Sequence, residues 1–412
     1  MENGIESTIR QVNAPLIYDF ANFVLDAARK RGLTRIYFLA RDGYEPYKFS
    51  QKIAERSGME MDLRYIYASR MAWRLPVCAL LSKEECFRLM FEPSLSQTPV
   101  LVLDRIGASE DEKEAILKGT EFEGQKNKIL QKKEWLQFRS ALANNPLFYA
   151  IMKQNSEKAL PICQKYFEQE GMTEGDFAIC DSGWSATMQR CLQTMLRRQN
   201  SDVKVTGIYF GLYRCPKSIS KQTIWYYFGP NERNLRKLQF SNNLLECMLL
   251  SPNGTTVGYR EAGEKVVPIF RETTTEYFEQ EDAALHAWLK DRLSGDVRVK
   301  EKEKLQHTVQ RVMYKPSERE LRCFARYAFS DDPSERDKHC IVRSLTKDEA
   351  KGYLVCRRLL RKLFHKGDQK ANPIYWLYGS IAYSNLRHKW WYRWNAYVWE
   401  AMRLVYDRIG KS

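Results

Sequence analysis

Two short apolar runs, Arg35-Ile36-Tyr37-Phe38-Leu39-Ala40 and Asp176-Phe177-Ala178-Ile179-Cys180, each end at a turn containing acid and glycine, and each is followed by a helical pattern. Strands that alternate with helices in this way favour a parallel sheet with helices on its faces. Ahead of the first run, Leu16, Phe20, Phe23, Val24 and Ala27 recur at helical spacing until Gly32. A second helix is expected from about Glu45 to Arg56, then a strand over Leu63–Ala68 ending at Ser69-Arg70. Residues 80–172 read as a mostly helical insertion, broken by a strand at Val100–Leu103 and a Lys-rich stretch near 124–133. Beyond it the pattern predicts a helix over Ala186–Arg198, a strand over Val203–Leu212, a helix over Phe240–Leu250 and a strand over Thr255–Arg260. The fold class expected is α/β, with a Rossmann-like, mostly parallel sheet. A ligand-binding domain would span residues 1–270, and a helical, basic C-terminal region 271–412.

At 44% hydrophobic and 28% charged residues, the 412-residue chain has the composition of a globular protein and not of a disordered one. It has no run of about 18 apolar residues, and Met1-Glu2-Asn3-Gly4-Ile5-Glu6 lacks the regions of a signal peptide, so a cytoplasmic location is expected. The ten cysteines are scattered without a C-x-x-C pair, which predicts buried, reduced thiols and neither disulfides nor zinc. From Lys351 onward, thirteen Lys and Arg face three acids, so this segment holds ten of the formal net charge of +15. An anionic partner is therefore expected at the C-terminal end: a membrane surface, nucleic acid or a polyphosphate ligand.

Ligands of parallel sheets bind outside the carboxyl ends of the strands, where backbone N–H groups and helix dipoles are free to meet them. At the first such end, Arg41-Asp42-Gly43-Tyr44 sets a charged pair beside a glycine that permits close backbone approach. At the second, Asp181 opens the stretch Ser182-Gly183-Trp184-Ser185-Ala186-Thr187, whose Ser182, Ser185 and Thr187 are hydroxyl donors at a helix start that could cradle phosphate. The same Ser and Thr residues are also ordinary N-caps, and a glycine after a strand is an ordinary turn. Glu246 lies in a strongly apolar helix, where it must either meet an arginine or act as an acid/base group. Ser69-Arg70 could supply that cation or hold a phosphate oxygen, and Asp104-Arg105 is a weaker candidate that reads rather as a turn. The five histidines all fall in the C-terminal third, away from these motifs, so a Ser-His-Asp triad has no support.

Trp391, Trp394, Val398, Met402, Val405 and Ile409 recur at three- and four-residue steps, with Arg393, Arg403 and Arg408 off that stripe. Such a helix could lie in a bilayer interface with its basic residues on anionic lipid, or could pack its stripe on the protein's own core. Nucleic acid has less support, because the basic residues accompany a wide apolar stripe and no reading motif.

Four motifs in order, Phe38-Leu39-Ala40-Arg41-Asp42-Gly43-Tyr44, Ser69-Arg70, Asp181-Ser182-Gly183-Trp184-Ser185-Ala186-Thr187-Met188-Gln189 and Glu246 through Tyr259, span roughly residues 14–260. In them the chain resembles bacterial proteins of surface-polysaccharide gene clusters that are classed as hydrolases of the haloacid dehalogenase superfamily. It departs from that superfamily's catalytic domain, since Ala40 stands two residues before Asp42 and the nucleophilic Asp-x-Asp strand end is missing. The resemblance therefore implies a setting, capsule or O-antigen-like glycan assembly; Tyr44, Ser69, Trp184 and Gln189, within its motifs, are candidate substrate-binding residues. A weaker likeness, of loop architecture alone, is to phosphoribosyltransferases.

These readings lead to an expected transferase of surface-polysaccharide biosynthesis that uses a nucleotide-sugar or sugar-phosphate donor at the inner membrane face. Ser182, Gly183, Ser185 and Thr187 would hold phosphate, Arg41 and Arg70 would neutralise it, and Asp42, Asp181 or Glu246 would serve as base. A Mg²⁺ ion could bridge Asp42 and Asp181. The alternatives are a phosphoester hydrolase of the same pathway and a non-catalytic assembly factor.

Overall fold

The structure is a computed structural model. It describes residues 2–92, 97–200, 202–230, 237–249, 251–271, 277–298, 301–330, 332, 338–363 and 374–409. Five strands, β1 (Arg35–Leu39), β2 (Asp62–Ile66), β3 (Phe177–Trp184), β4 (Val205–Leu212) and β5 (Thr223–Phe228), form one sheet in the order β2-β1-β3-β4-β5. Every neighbouring pair is parallel, with Leu39 opposite Ile66 and Phe38 opposite Cys180. The expected α/β class with a parallel sheet and a helical C-terminal region is thus what the chain adopts.

Alternation along the strands divides the core. Ile36, Phe38, Ala178, Cys180, Ile208 and Phe210 face the helix Ala14–Arg29, whose Phe20 meets Phe210 edge-on at 5.3 Å. Tyr37, Leu39, Phe177 and Ile179 face the opposite way, toward Trp73 and Phe167. Each of these side chains is fully buried, and the Ile, Leu and Phe residues among them each contribute roughly 1.5–3 kcal/mol on leaving water. The first core is shared with the C-terminal helices through Leu285, Trp288, Val309, Phe324 and Trp376.

The insertion between β2 and β3 contains helices and loops and, among the described residues, no strand, so Val100–Leu103 is no strand. Those residues lie in a helix, Pro99–Arg105, opened by Thr98 with Pro99 in its first turn. Four apolar residues in a row carry no period, so burial on all sides produces the same pattern in either conformation. The expected strand at Thr255–Arg260 is β6 (Thr256–Ala262), which leaves the main sheet and pairs antiparallel with β7 (Lys265–Phe270). Leu250 and His365 lie outside the described residues, as do the side chains of Val405, Arg408 and Ile409. All ten cysteines are free thiols, six of them buried.

Candidate active site

The strand order changes direction at β1: β2 is added on one side of it and β3 on the other. A crevice opens at such a switch point, beyond the carboxyl ends of the two strands. Pairing of β1 with β3 ends at Phe38 and Cys180, whereas β3 stays paired with β4 as far as Trp184. Asp181 therefore follows directly on the last β1 contact, beside the turn that leaves β1. That turn is tight, with Gly43 N–H donating to the Leu39 carbonyl at 2.8 Å and Tyr44 N–H to the Arg41 carbonyl at 2.9 Å. A Cβ on Gly43 would sit 2.5 Å from the Leu39 oxygen, so the fold needs glycine there.

Electrostatics place the three carboxylates together. Burial pushes the Asp181 carboxyl up to about 8, with repulsion from Asp42 and Glu246 adding to it, while the Ser182 N–H and Arg70 pull the other way. Burial likewise raises Glu246 to about 7, again with Asp42 adding, opposed by Arg70, by the Trp184 indole and by Arg41. Asp42, Asp181, Glu246, Arg41 and Arg70 thus converge on one partly exposed crevice. Arg70 and Arg41 are both near Glu246, and burial raises its carboxyl toward neutrality. Its direct partner is a different one, the Trp184 Nε1–H, which donates to Oε1 at 2.6 Å.

The other expected residues separate into those at the crevice and those behind it. Ser185 and Thr187 are partly exposed and bond each other at 2.9 Å. Neither caps the helix Thr187–Leu196, whose N-cap is Ala186 at φ 50° with no side-chain cap bond. Gly183, at φ 112°, lets β3 approach Gly211 of β4. Tyr44 forms a wall, its ring edge-on to Tyr65 at 5.4 Å and to Phe278 at 5.9 Å.

Several expected ligand residues serve the scaffold instead. Ser182 is buried at 5% exposure, and strand alternation turns its side chain to the face opposite Asp181, leaving its N–H to serve that carboxyl. Ser69 is an N-cap: its hydroxyl accepts from Ala72 N–H at 3.0 Å and donates to the Thr256 carbonyl, which fixes Arg70 at the first helical position. Gln189 is fully buried, donating to the Val205 carbonyl at 2.9 Å and accepting from Tyr209 OH at 2.9 Å, so it braces the sheet and cannot reach a ligand. Trp184 spends its only donor on Glu246 and packs its ring on Tyr213, Phe228 and Phe240.

Two features escaped the sequence. Tyr65 lies within the field of both Arg41 and Asp42, its hydroxyl 3.3 Å from Ser251 Oγ; its place at the end of an apolar run was the available signal. The histidines are not all remote from the strand ends, since His286 Nε2 comes within 3.9 Å of Glu45, three residues after Asp42. Among the described residues, Glu45, Asp282 and His286 are the only three potential ligands whose atoms gather within 4.8 Å, so Asp42, Asp181 and Glu246 do not form a closed metal cage. A cavity of about 410 Å³ lined by Glu6, Ser7, Arg10, Gln11, Trp288 and Val297 contains none of the strand-end residues. Compared with known proteins, the chain matches no family model and no curated protein.

Proposed function

We propose that the crevice binds a nucleotide-sugar or phosphorylated sugar and transfers the sugar to an acceptor hydroxyl in cell-surface polysaccharide biosynthesis. The observation that carries this reading is the convergence of two guanidinium groups with two carboxyls that titrate near 7 and 8. Arg41 and Arg70 suit an anionic leaving group, for which guanidinium provides planar, paired donors. The acceptor oxygen attacks the anomeric carbon and its proton passes to Glu246. As the carbon–oxygen bond to phosphate breaks, the phosphate departs with the electron pair, and Asp181, still protonated at neutral pH, hydrogen-bonds to it. Asp42 orients the sugar and adds its repulsion to the burial that raises both other carboxyls. A Mg²⁺ ion, where one is used, would come in with the phosphates, held by Asp42 and Asp181.

Calorimetry against a panel of nucleotide-sugars and sugar phosphates tests the reading. At least one member should bind, and Arg70→Ala should weaken it about 10- to 100-fold, the range for losing a charge-assisted contact. A panel without a binder, together with no phosphate release from sugar phosphates in Mg²⁺, would replace a transferase with a non-catalytic assembly factor.

The C-terminal helix Lys389–Ile409 supports work beside a membrane. Its inner face is tied to the body: Asn395 and Ala396 are buried, and Glu400 accepts from Gln239 N–H at 3.1 Å and Tyr378 OH at 2.9 Å. Trp391, Trp394 and Met402 point away from that face and are 42%, 48% and 41% exposed, with Trp390 and Tyr383 exposed beside them. Of the stripe, Trp391, Trp394 and Met402 are thus open to solvent, and Val398 is half-buried. Arg387, His388 and Arg403 are also exposed at its margins. Tryptophan with flanking cations suits the headgroup layer of anionic lipid. Among the described residues, no helix is long and apolar enough to cross a membrane.

Full-length protein should float with phosphatidylserine vesicles and stay behind with phosphatidylcholine alone. Replacing Trp390, Trp391 and Trp394 by Ser should abolish flotation without unfolding, since all three are exposed. Each basic residue removed should cost about fivefold in affinity. Flotation that ignores both lipid charge and the tryptophans would refute the membrane assignment.

A further inference from the structure

Glu45 belongs to the first turn of the helix Tyr44–Ser57, and Asp282 and His286 occupy one face of the helix Phe278–Ser294 at i, i+4 spacing. Where the helices meet, Glu45 is completely buried, yet neither of its oxygens has a hydrogen-bond partner. Asp282 Oδ1 and His286 Nε2 are buried atoms in the same condition. The three atoms gather within 4.8 Å, where only a proton on the imidazole or on a carboxyl, or a bound cation, can pair them. Lys48 and Lys52 contribute positive field, but neither ammonium reaches these atoms. A buried carboxylate left in this state costs several kcal/mol, so either a proton or a metal cation has to lie among the three.

We propose that Glu45, Asp282 and His286 form a transition-metal site of the Zn²⁺ class, separate from the strand-end crevice and independent of its assignment. Ligand chemistry selects the metal. One imidazole with two carboxylates suits Zn²⁺, whereas Mg²⁺ and Ca²⁺ prefer all-oxygen shells of six or more ligands. Geometry agrees: bonds of about 2.0–2.1 Å at tetrahedral angles hold ligand atoms about 3.3 Å apart. His286 Nε2 lies 3.3 Å from Asp282 Oδ1 and 3.9 Å from Glu45 Oε2, so a small rotation of Glu45 completes three corners. The His286 ring is steadied by Phe49, with ring centres 6.1 Å apart. Asp282 and His286 are about 30% exposed, so water can take the fourth corner. The ion would tie the C-terminal helical region to the helix that follows the Arg41-Asp42-Gly43 turn, and so steady one wall of the crevice.

The test uses full-length protein carrying Cys340→Ser and Cys356→Ser, because those exposed thiols could take zinc themselves. Titration with Zn²⁺ against a chromophoric chelator should show one saturable equivalent and a melting temperature raised by at least about 3 °C. His286→Ala should weaken binding about 100-fold or more and remove the thermal shift. Glu45→Gln, which keeps the buried shape and removes the charge, should do the same while melting no lower than the metal-free parent. Absence of saturable binding, or binding that survives both substitutions, would overturn the site. The first result would mean that a proton shared between Glu45 and Asp282 fills the role.

Discussion

Asp181→Asn should abolish donor binding and yet make the protein harder to melt in alkaline solution. In the folded chain the Asp181 carboxyl titrates at about 8 against an ordinary 3.8, and Glu246 at about 7 against 4.5. Between those limits the folded state holds protons that the unfolded chain has released, so stability falls as pH rises from about 4 toward 8. Above about 8 both states are ionised and the penalty is fully developed. Below about 4 both are protonated and it vanishes. Asparagine has no such penalty, so the variant should gain on the order of 2 kcal/mol at pH 9, well under the full displacement because water reaches the open side of the crevice. At pH 4 it should gain nothing, and above about pH 8 it lacks the charged contact that the parent carboxylate makes with Ser182 N–H. Thermal melts of both proteins at pH 4, 6 and 9, with calorimetry at pH 7, check this. A gain that does not depend on pH, or donor affinity equal to the parent's, would remove Asp181 from the crevice. Binding sites that carry uncompensated charge are expected to cost stability in this way.

Gly183→Ala carries the largest expected structural penalty. Its Cβ would lie 2.3 Å from the Gly211 oxygen, and the backbone at φ 112° is one that alanine rarely adopts. Relief requires β3 and β4 to part beside Trp184, which would break the indole contact that holds Glu246. A loss of about 3 kcal/mol is expected from overpacking and backbone strain together, along with donor binding. Gly175→Ala is the control: it too has positive φ, 68°, but open space where the methyl would go, so only about 1 kcal/mol should be lost. Equal losses in chemical denaturation would show that backbone conformation, and not the contact with β4, makes Gly183 necessary.

Much of this fold is legible in the chain. The runs at 35–40, 63–68, 176–180 and 203–212 became neighbouring parallel strands because each is apolar, short and bounded by polar turns. The run at Thr223–Phe228 also had β-forming composition, Ile, Trp, Tyr, Tyr and Phe, but no helix of full length separates it from β4, and the alternating pattern did not mark it. Val100–Leu103 misled for the opposite reason, as its apolar character reports burial and not conformation. In the crevice, strand ends identified Arg41, Asp42, Arg70 and Asp181. What strand ends cannot reveal is which neighbours a side chain meets. Ser69, Ser182 and Gln189 have the residue types of phosphate ligands and went to capping, backbone support and sheet bracing. Glu45 reads as an ordinary acid of a first helical turn, and nothing local ties it to a histidine some 240 residues away.

The position of β1 in the middle of its sheet also dictates when the crevice can exist. Its partner on the β3 side lies some 140 residues downstream, with Ile36 opposite Ala178. A nascent chain can close β1 on β2 early, but it must wait for the whole helical insertion to be synthesised before Asp42 acquires Asp181 as a neighbour. Until then the β3-facing edge of β1 is open, and shielding it during synthesis falls to the helix Ala14–Arg29 and to the insertion as it folds.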